Sequence, residues 1–300
     1  MKSARFALTL LAAAALAAPA AAQEGTLKKI KDSGSITIGH RDASVPFSYY
    51  DDKQQPVGYA IDLCMKIVDA VKAELKMPKI EVKYQLVTSA NRIPLMGNGT
   101  IDLECGSTTN NLERQKLVWF TITHFVTANR FVSKKASNIK TLADLKGKTV
   151  VSTAGTTNIK QITELNAAQN LGINILSANG HSEAFQMVET GRAVAFVMDD
   201  ILLYSLVAQA RTPGDYAISA DALSIEPYGI MVRKDDAAFK KAVDAAMTNL
   251  YKSGQIDAIY DKWFLKPVPP KGINLNVPMS AQFKAVIAKP TDSGDPNVYK

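Results

Sequence analysis

Apolar positions along this chain switch between two periods. "SITIGH" (Ser35 to His40) is a short β-branched run that reads as a strand. After it, Ile61, Cys64, Met65, Val68, Val71 and Leu75 recur at helical spacing, so residues 59–75 read as an amphipathic helix. "IEVKYQLV" (Ile80 to Val87) alternates as a strand does. "ANRIPLMGNG" reads as a short helix closed by Gly97 and Gly99, which puts Pro94 in its first turn. "IDLECG" is a further strand and "NNLERQKLV" a further helical stretch.

The rhythm then restarts. "TVVSTAG" (Thr149 to Gly155), "INILSA" and "AVAFVMDD" read as strands, and each is followed by a helical stretch: residues 156–172, 182–191 and 201–210. Two such series predict two α/β units with largely parallel sheets. One more strand, "YGIMVRKDD" (Tyr228 to Asp236), precedes a long helical tract over 237–264. No repeat or flexible linker separates the units. Residues 125–135 and 228–236 instead look like extended crossings, so the chain enters the second unit and returns. This predicts a discontinuous first lobe (23–127 plus 229–266), a second lobe (128–228) and a C-terminal tail (267–300). The tail is rich in Pro, Gly and Lys and is expected to lie on the surface with a disordered end.

The front of the chain changes the compartment. Lys2 and Arg5, an apolar run from Phe6 to Ala18, and Ala20-Ala21-Ala22 before Gln23 have the parts of a secretory signal peptide over 1–22. The run is short and alanine-rich beside the ~20 strongly apolar residues a spanning helix needs, so no membrane insertion is expected. The formal charge of +7 is carried by scattered lysines, whereas a nucleic-acid groove would need a clustered basic face. Two cysteines, Cys64 and Cys105, without CxxC spacing speak against a metal site. Outside the cytoplasm they can pair or stay free. Distance in the fold decides.

The chemistry gathers at strand exits, where ligands of open α/β sheets sit and free helix N–H groups point. Arg41 follows the first strand, and Ser89 and Arg92 the next. Ser107, Thr109 and Arg114 follow the third, Thr157 and His181 leave strands of the second unit, and Asp199 ends another. Each hydroxyl alone is an ordinary helix cap. Together, three arginines, a histidine, several hydroxyls and one aspartate describe a pocket for a small acidic zwitterion.

The segments "GHRDASVPFSYYDD", "TSANRIPL", "GTIDLECGSTTNNLERQK", "AGTT" and "GRAVAFVMDD" resemble the periplasmic solute-binding proteins of amino-acid ABC importers. The pair "TSANR" and "ECGSTTNN.ER" is similar to their glutamate/aspartate-binding branch. The resemblance covers about Thr26 to Phe264. It implies a two-lobe α/β fold of the type II periplasmic-binding class, a monomer that closes over glutamate or aspartate and hands it to a membrane permease, with no cofactor. It also implies roles. Arg114, with Ser107, Thr109 and Thr157, would grip the α-carboxylate, and Asp199 the α-ammonium. Arg41, Ser89, Arg92 and His181 would face the side-chain carboxylate, with Arg41 as the charge selector.

Two other readings use the same scaffold: a periplasmic dehydratase of cyclic dienyl acids, and a sensor that binds the amino acid without feeding an importer. A dehydratase needs a general acid or base aimed at a reacting carbon, yet His181 and Asp199 already have binding roles. GxSxG, HExxH and P-loop patterns are absent from the sequence.

Overall fold

A computed structural model describes residues 25–300; the signal peptide read at 1–22 lies outside the described residues. The first lobe is built on a five-stranded sheet in the order Glu81–Leu86, Ser35–His40, Leu103–Glu104, Met231–Arg233, Val118–Phe120. Its first three strands are parallel, and Met231–Arg233 and Val118–Phe120 pair antiparallel. The strand Ser35–His40 is buried along nearly its whole length, as befits a parallel strand covered on both faces. The helix Tyr59–Leu75 covers one of them, burying Leu63, Cys64, Ile67, Val68 and Val71.

The second lobe carries a six-stranded sheet. Asn174–Ala178, Thr149–Thr153 and Ala195–Asp199 run parallel, and the long strand Phe125–Lys134 lies antiparallel to the last. On its other edge Phe125–Lys134 pairs with Tyr216–Ile218 and with Ser224–Tyr228. The chain therefore passes between lobes on two hydrogen-bonded antiparallel strands, with Phe125 opposite Tyr228.

An aromatic cluster fills the region where these strands leave the first lobe. Phe125 stacks on Phe264 at 5.0 Å, Tyr260 stacks on Phe264 at 4.3 Å, and Phe47 meets Tyr228 edge-on at 5.3 Å. Each buried ring of this size contributes roughly 1.5–3 kcal/mol by leaving water, so the crossing is anchored in a dry core. Cys64 and Cys105 are joined by a disulfide across a Cα–Cα distance of 6.3 Å. It ties the covering helix to the strand exit that precedes Ser107.

Several elements differ from the pattern-based expectation. Residues 110–118 form only one 3₁₀ turn, Arg114–Lys116, before a strand starts at Val118; the side-chain oxygens of Asn110 and Asn111 accept hydrogen bonds from Gln115 and Arg114 that hold the rest as a loop. The tract 237–264 is two helices, Ala237–Lys252 and Gln255–Phe264, broken at Gly254 with φ 72. The expectation of a disordered C-terminal end is overturned. Residues 281–288 form a helix that buries Phe283 and Val286, and Tyr299 is buried at the end of the chain. Apolar residues scattered among Pro, Gly and Lys were enough to dock it, although the average composition hid them.

Removing the disulfide by Cys64→Ala with Cys105→Ala should lower unfolding stability by about 2–4 kcal/mol, because the bridge closes a loop of 41 residues. Urea unfolding of the oxidised parent and the double variant measures this. Equal midpoints would contradict it.

Candidate functional site

The strand exits of both lobes face each other. Seven of the nine residues singled out above, Ser89, Arg92, Ser107, Thr109, Thr157, His181 and Asp199, line one small space between the lobes. Arg41 and Arg114 are buried beside it rather than among its lining residues. The lobes touch here. Gly155, with φ 74, lies so close to Ala90 that a Cβ would stand 2.5 Å from the Ala90 Cα. Only glycine suits both that φ and that approach.

Arg114 spans the two lobes, donating from Nη1 to the Thr109 carbonyl at 2.8 Å and from Nη2 to the Gly155 carbonyl at 3.1 Å. Each terminal nitrogen keeps a second N–H, since guanidinium carries five donors. The Thr157 hydroxyl donates to Glu226 Oε2 at 3.0 Å and lies 3.4 Å from the Thr109 hydroxyl.

Arg92 donates from Nη1 to Thr108 Oγ1 at 2.5 Å, and Thr108 in turn donates to Glu104 Oε2 at 2.5 Å. Glu104 is fully buried, 3.7 Å from Arg92. It sits so close to Gly106 that a Cβ there would lie 2.4 Å from its Oε1. Glu104 therefore holds Arg92 from behind. Several buried donors find no partner within the protein: Arg41 Nε and Nη1, Arg92 Nε, and the hydroxyls of Ser89 and Ser107. Unpaired buried donors are costly, and five of them in one place describe an anion site.

Electrostatics agree. Burial, and then the charge of Arg92, pull Arg41 down to about 10 and Arg114 likewise to about 10, so both stay cationic at neutral pH. His181 bonds through Nδ1 to the Thr153 hydroxyl at 2.9 Å. Burial, with Arg41 and Arg92 nearby, keeps its imidazole far below the usual range and hence neutral. Asp199 accepts from Asn158 Nδ2 at 2.7 Å and from the Tyr228 hydroxyl. Burial, and next the carboxylate of Glu226, raise its carboxyl well above the usual carboxylate range.

The sequence reading missed Asn158, which orients Asp199, and the acids Glu104 and Glu226. Asn158 stands next to Thr157 at a helix start and was legible as a polar strand-exit residue. Glu104 ends the two-residue strand Leu103–Glu104 but falls inside the longer strand "IDLECG" read from the sequence, and Glu226 lies in a strand that the sequence pattern does not mark. Among the described residues no group of three or more His, Cys, Asp or Glu could hold a metal. None of the described helices is long and apolar enough to cross a membrane.

Two lobes on a pair of crossing strands, closed over a buried polar space, define a periplasmic binding protein of type II. The chain belongs to the bacterial extracellular solute-binding proteins, family 3, whose model matches residues 36–266. It is 56% identical over 95% of both chains to the L-glutamate/L-aspartate-binding protein of Pseudomonas aeruginosa. It is 48% identical to the glutamate/aspartate import solute-binding protein of Escherichia coli, covering 94% of this chain and 93% of that one. Among solved structures, it is similar to an ancestral arginine-binding protein bound to arginine, with a TM-score of 0.69 and 30% identity over 77% of this chain and 98% of that one. These relatives are binding proteins and give the dehydratase reading no support.

The raised Asp199 carboxyl has a consequence for stability. An acid whose folded pKa exceeds its unfolded value favours the fold at low pH, and that contribution is lost as pH rises through the folded pKa. Asp199→Asn removes the loss while keeping both neighbours, because the Tyr228 hydroxyl can accept as well as donate. The variant should melt about 2–4 °C above the ligand-free parent at pH 8, and the gap should close near pH 4. Calorimetric scans at both pH values test this; a variant less stable than its parent at pH 8 would refute it.

Proposed function

We propose that this chain captures L-glutamate and L-aspartate outside the cytoplasm and delivers them to an ABC importer; one relative is named for binding L-glutamate and L-aspartate and another for their import. The observation that carries the reading for this chain is the set of unpartnered buried donors on Arg41, Arg92, Ser89 and Ser107, in and beside the space that Asp199 lines. In this assignment Arg114, Ser107, Thr109 and Thr157 hold the α-carboxylate. A guanidinium suits it because it offers parallel charged donors. Asp199 takes the α-ammonium, whose positive charge reverses the upward shift of that carboxyl. Arg41, Ser89, Arg92 and His181 receive the side-chain carboxylate. The lobes are taken as 23–127 with 229–266, and 128–228, and ligand favours the arrangement in which they touch.

Glutamine has almost the shape of glutamate but turns an NH₂ toward these donors, and an unmet charged donor costs about 1–3 kcal/mol or more. Glutamate and aspartate should therefore bind at least ~100-fold tighter than glutamine and asparagine. Arg41→Ala should shrink that ratio, whereas Arg114→Ala should weaken all four ligands together. Titration calorimetry of the parent and both variants decides; glutamine binding as tightly as glutamate to the parent would reject the reading.

Gly155→Ala should weaken glutamate binding by at least about tenfold, since the added methyl meets Ala90 only when the lobes touch. Scattering with saturating ligand should show a less contracted particle than the parent. An unchanged contraction and affinity would mean that closure does not require this contact.

A further inference from the structure

The family model ends at residue 266, yet the last ten residues of the chain are built into the back of the arginine-bearing loop. The loop from Ser107 to Leu117 has almost no ladder of its own. Its regular structure amounts to an isolated bridge, Thr109 to Tyr228, and the single turn at Arg114. On the hinge side it is held by the Asn110 N–H, which donates to the Pro227 carbonyl at 2.7 Å. On the opposite side it is held by the C-terminal segment. The Asp292 carbonyl accepts two side-chain amides, Asn110 Nδ2 at 2.8 Å and Gln115 Nε2 at 2.9 Å, and Gln115 also donates to Asn110 Oδ1 at 2.8 Å. Gly294 lies flush on the loop backbone. A Cβ there would stand 2.7 Å from the Asn111 carbonyl carbon and 2.8 Å from the Leu112 nitrogen. Asn111 in turn caps Arg114, accepting its N–H at 2.8 Å.

The same segment grips the chain just before the first crossing strand. The Thr291 carbonyl accepts the Thr123 N–H at 2.8 Å. The buried Tyr299 hydroxyl sits 2.8 Å from the Thr123 hydroxyl and donates to the Ser293 carbonyl at 2.7 Å. Lys240 pairs with Asp292 at 2.9 Å and also with Asp244, which accepts the Ile122 N–H at 3.1 Å. The C-terminal segment thus locks the Arg114 loop to the base of the hinge without reaching the space between the lobes.

We propose that residues 291–299 are a positioning brace for the head-group half of the binding site. They fix where Thr109 and Arg114 stand relative to the crossing strands, and so set ligand affinity from outside the site. The proposal rests on the reading of this site as an amino-acid site. It makes a demand that a merely structural strap would not: losing the brace must weaken every amino-acid ligand by the same factor, because all share the head group, and must leave the preference for glutamate over glutamine intact.

Two full-length variants test it, Gly294→Ala, which pushes the loop, and Gln115→Ala, which removes the bonds to the Asp292 carbonyl and to Asn110 Oδ1 without adding bulk. Titration with L-glutamate and L-glutamine should show affinity falling at least about tenfold for Gly294→Ala and about threefold for Gln115→Ala. The glutamate-to-glutamine ratio should stay within twofold of the parent's. Ligand-free melting curves identify a variant that has failed to fold; if Gly294→Ala does, Gln115→Ala alone decides. Folded variants with parental affinity would overturn the brace, and so would a changed ligand ratio, which would place the effect on the side-chain pocket. Failure of the parent itself to bind glutamate would instead reject the functional reading.

Discussion

Everything in this molecule is arranged around the cost of keeping three guanidinium groups out of water. Arg41, Arg92 and Arg114 are all buried where the lobes meet. Isolated ions are expensive in such surroundings, and the expense is tolerated only with counter-charges and hydrogen bonds in place. The protein supplies part of that compensation. Glu104 stands behind Arg92 with Thr108 between them, and two backbone carbonyls take Arg114. What it withholds is equally telling, since Arg41 Nε and Nη1 and Arg92 Nε are left for something else. A site that satisfied all its donors internally would be more stable and would bind nothing.

The fold makes this arrangement possible by dividing the work. Each sheet is a rigid platform whose strand exits carry short polar loops, and the donors come from both platforms. The Gly155 carbonyl of the second lobe reaches Arg114 of the first. The two crossing strands start in an aromatic core around Phe47, Phe125, Tyr228 and Phe264, so relative motion is confined to a few residues beyond it. Gly155 against Ala90 then sets how closely the platforms meet. Proteins similar to this chain are named for binding glutamate and aspartate in one case and arginine in another, so the scaffold these relatives share does not itself set ligand charge.

That division also explains what could be read from the sequence. Period and glycine punctuation marked the parallel strands and their helices, because such strands are continuous apolar runs. The same logic pointed to the exits, and hence to the nine residues now found in or beside one buried space. Elements made by long-range pairing were not legible. The strand Ser224–Tyr228 contains Pro227 and exists because Phe125–Lys134 offers it an edge. The paired cysteines were visible as candidates, but only the fold brings residues 41 apart to bonding distance. The C-terminal segment looked structureless because its few apolar residues have no period, and each finds its place only on a surface the rest of the chain has already formed.

Glu104 shows where sequence reasoning about a binding site stops. An acid beside a pocket proposed to take carboxylates looks like an error if one counts only what that ligand wants. Three buried arginines without a nearby acid would repel one another, and the lobes would resist closing even around an anion. Glu104 removes part of that repulsion and fixes the rotamer of Arg92, so less ordering is left for the ligand to impose. Its effect depends on geometry behind the site, on Thr108 as a bridge, and on a glycine at 106 that leaves room for the carboxylate. None of these lines the space between the lobes, so a list of strand-exit residues, Gly106 and Thr108 among them, does not reveal what they do. Recognition here is as much a property of the groups that hold the donors still as of the donors themselves.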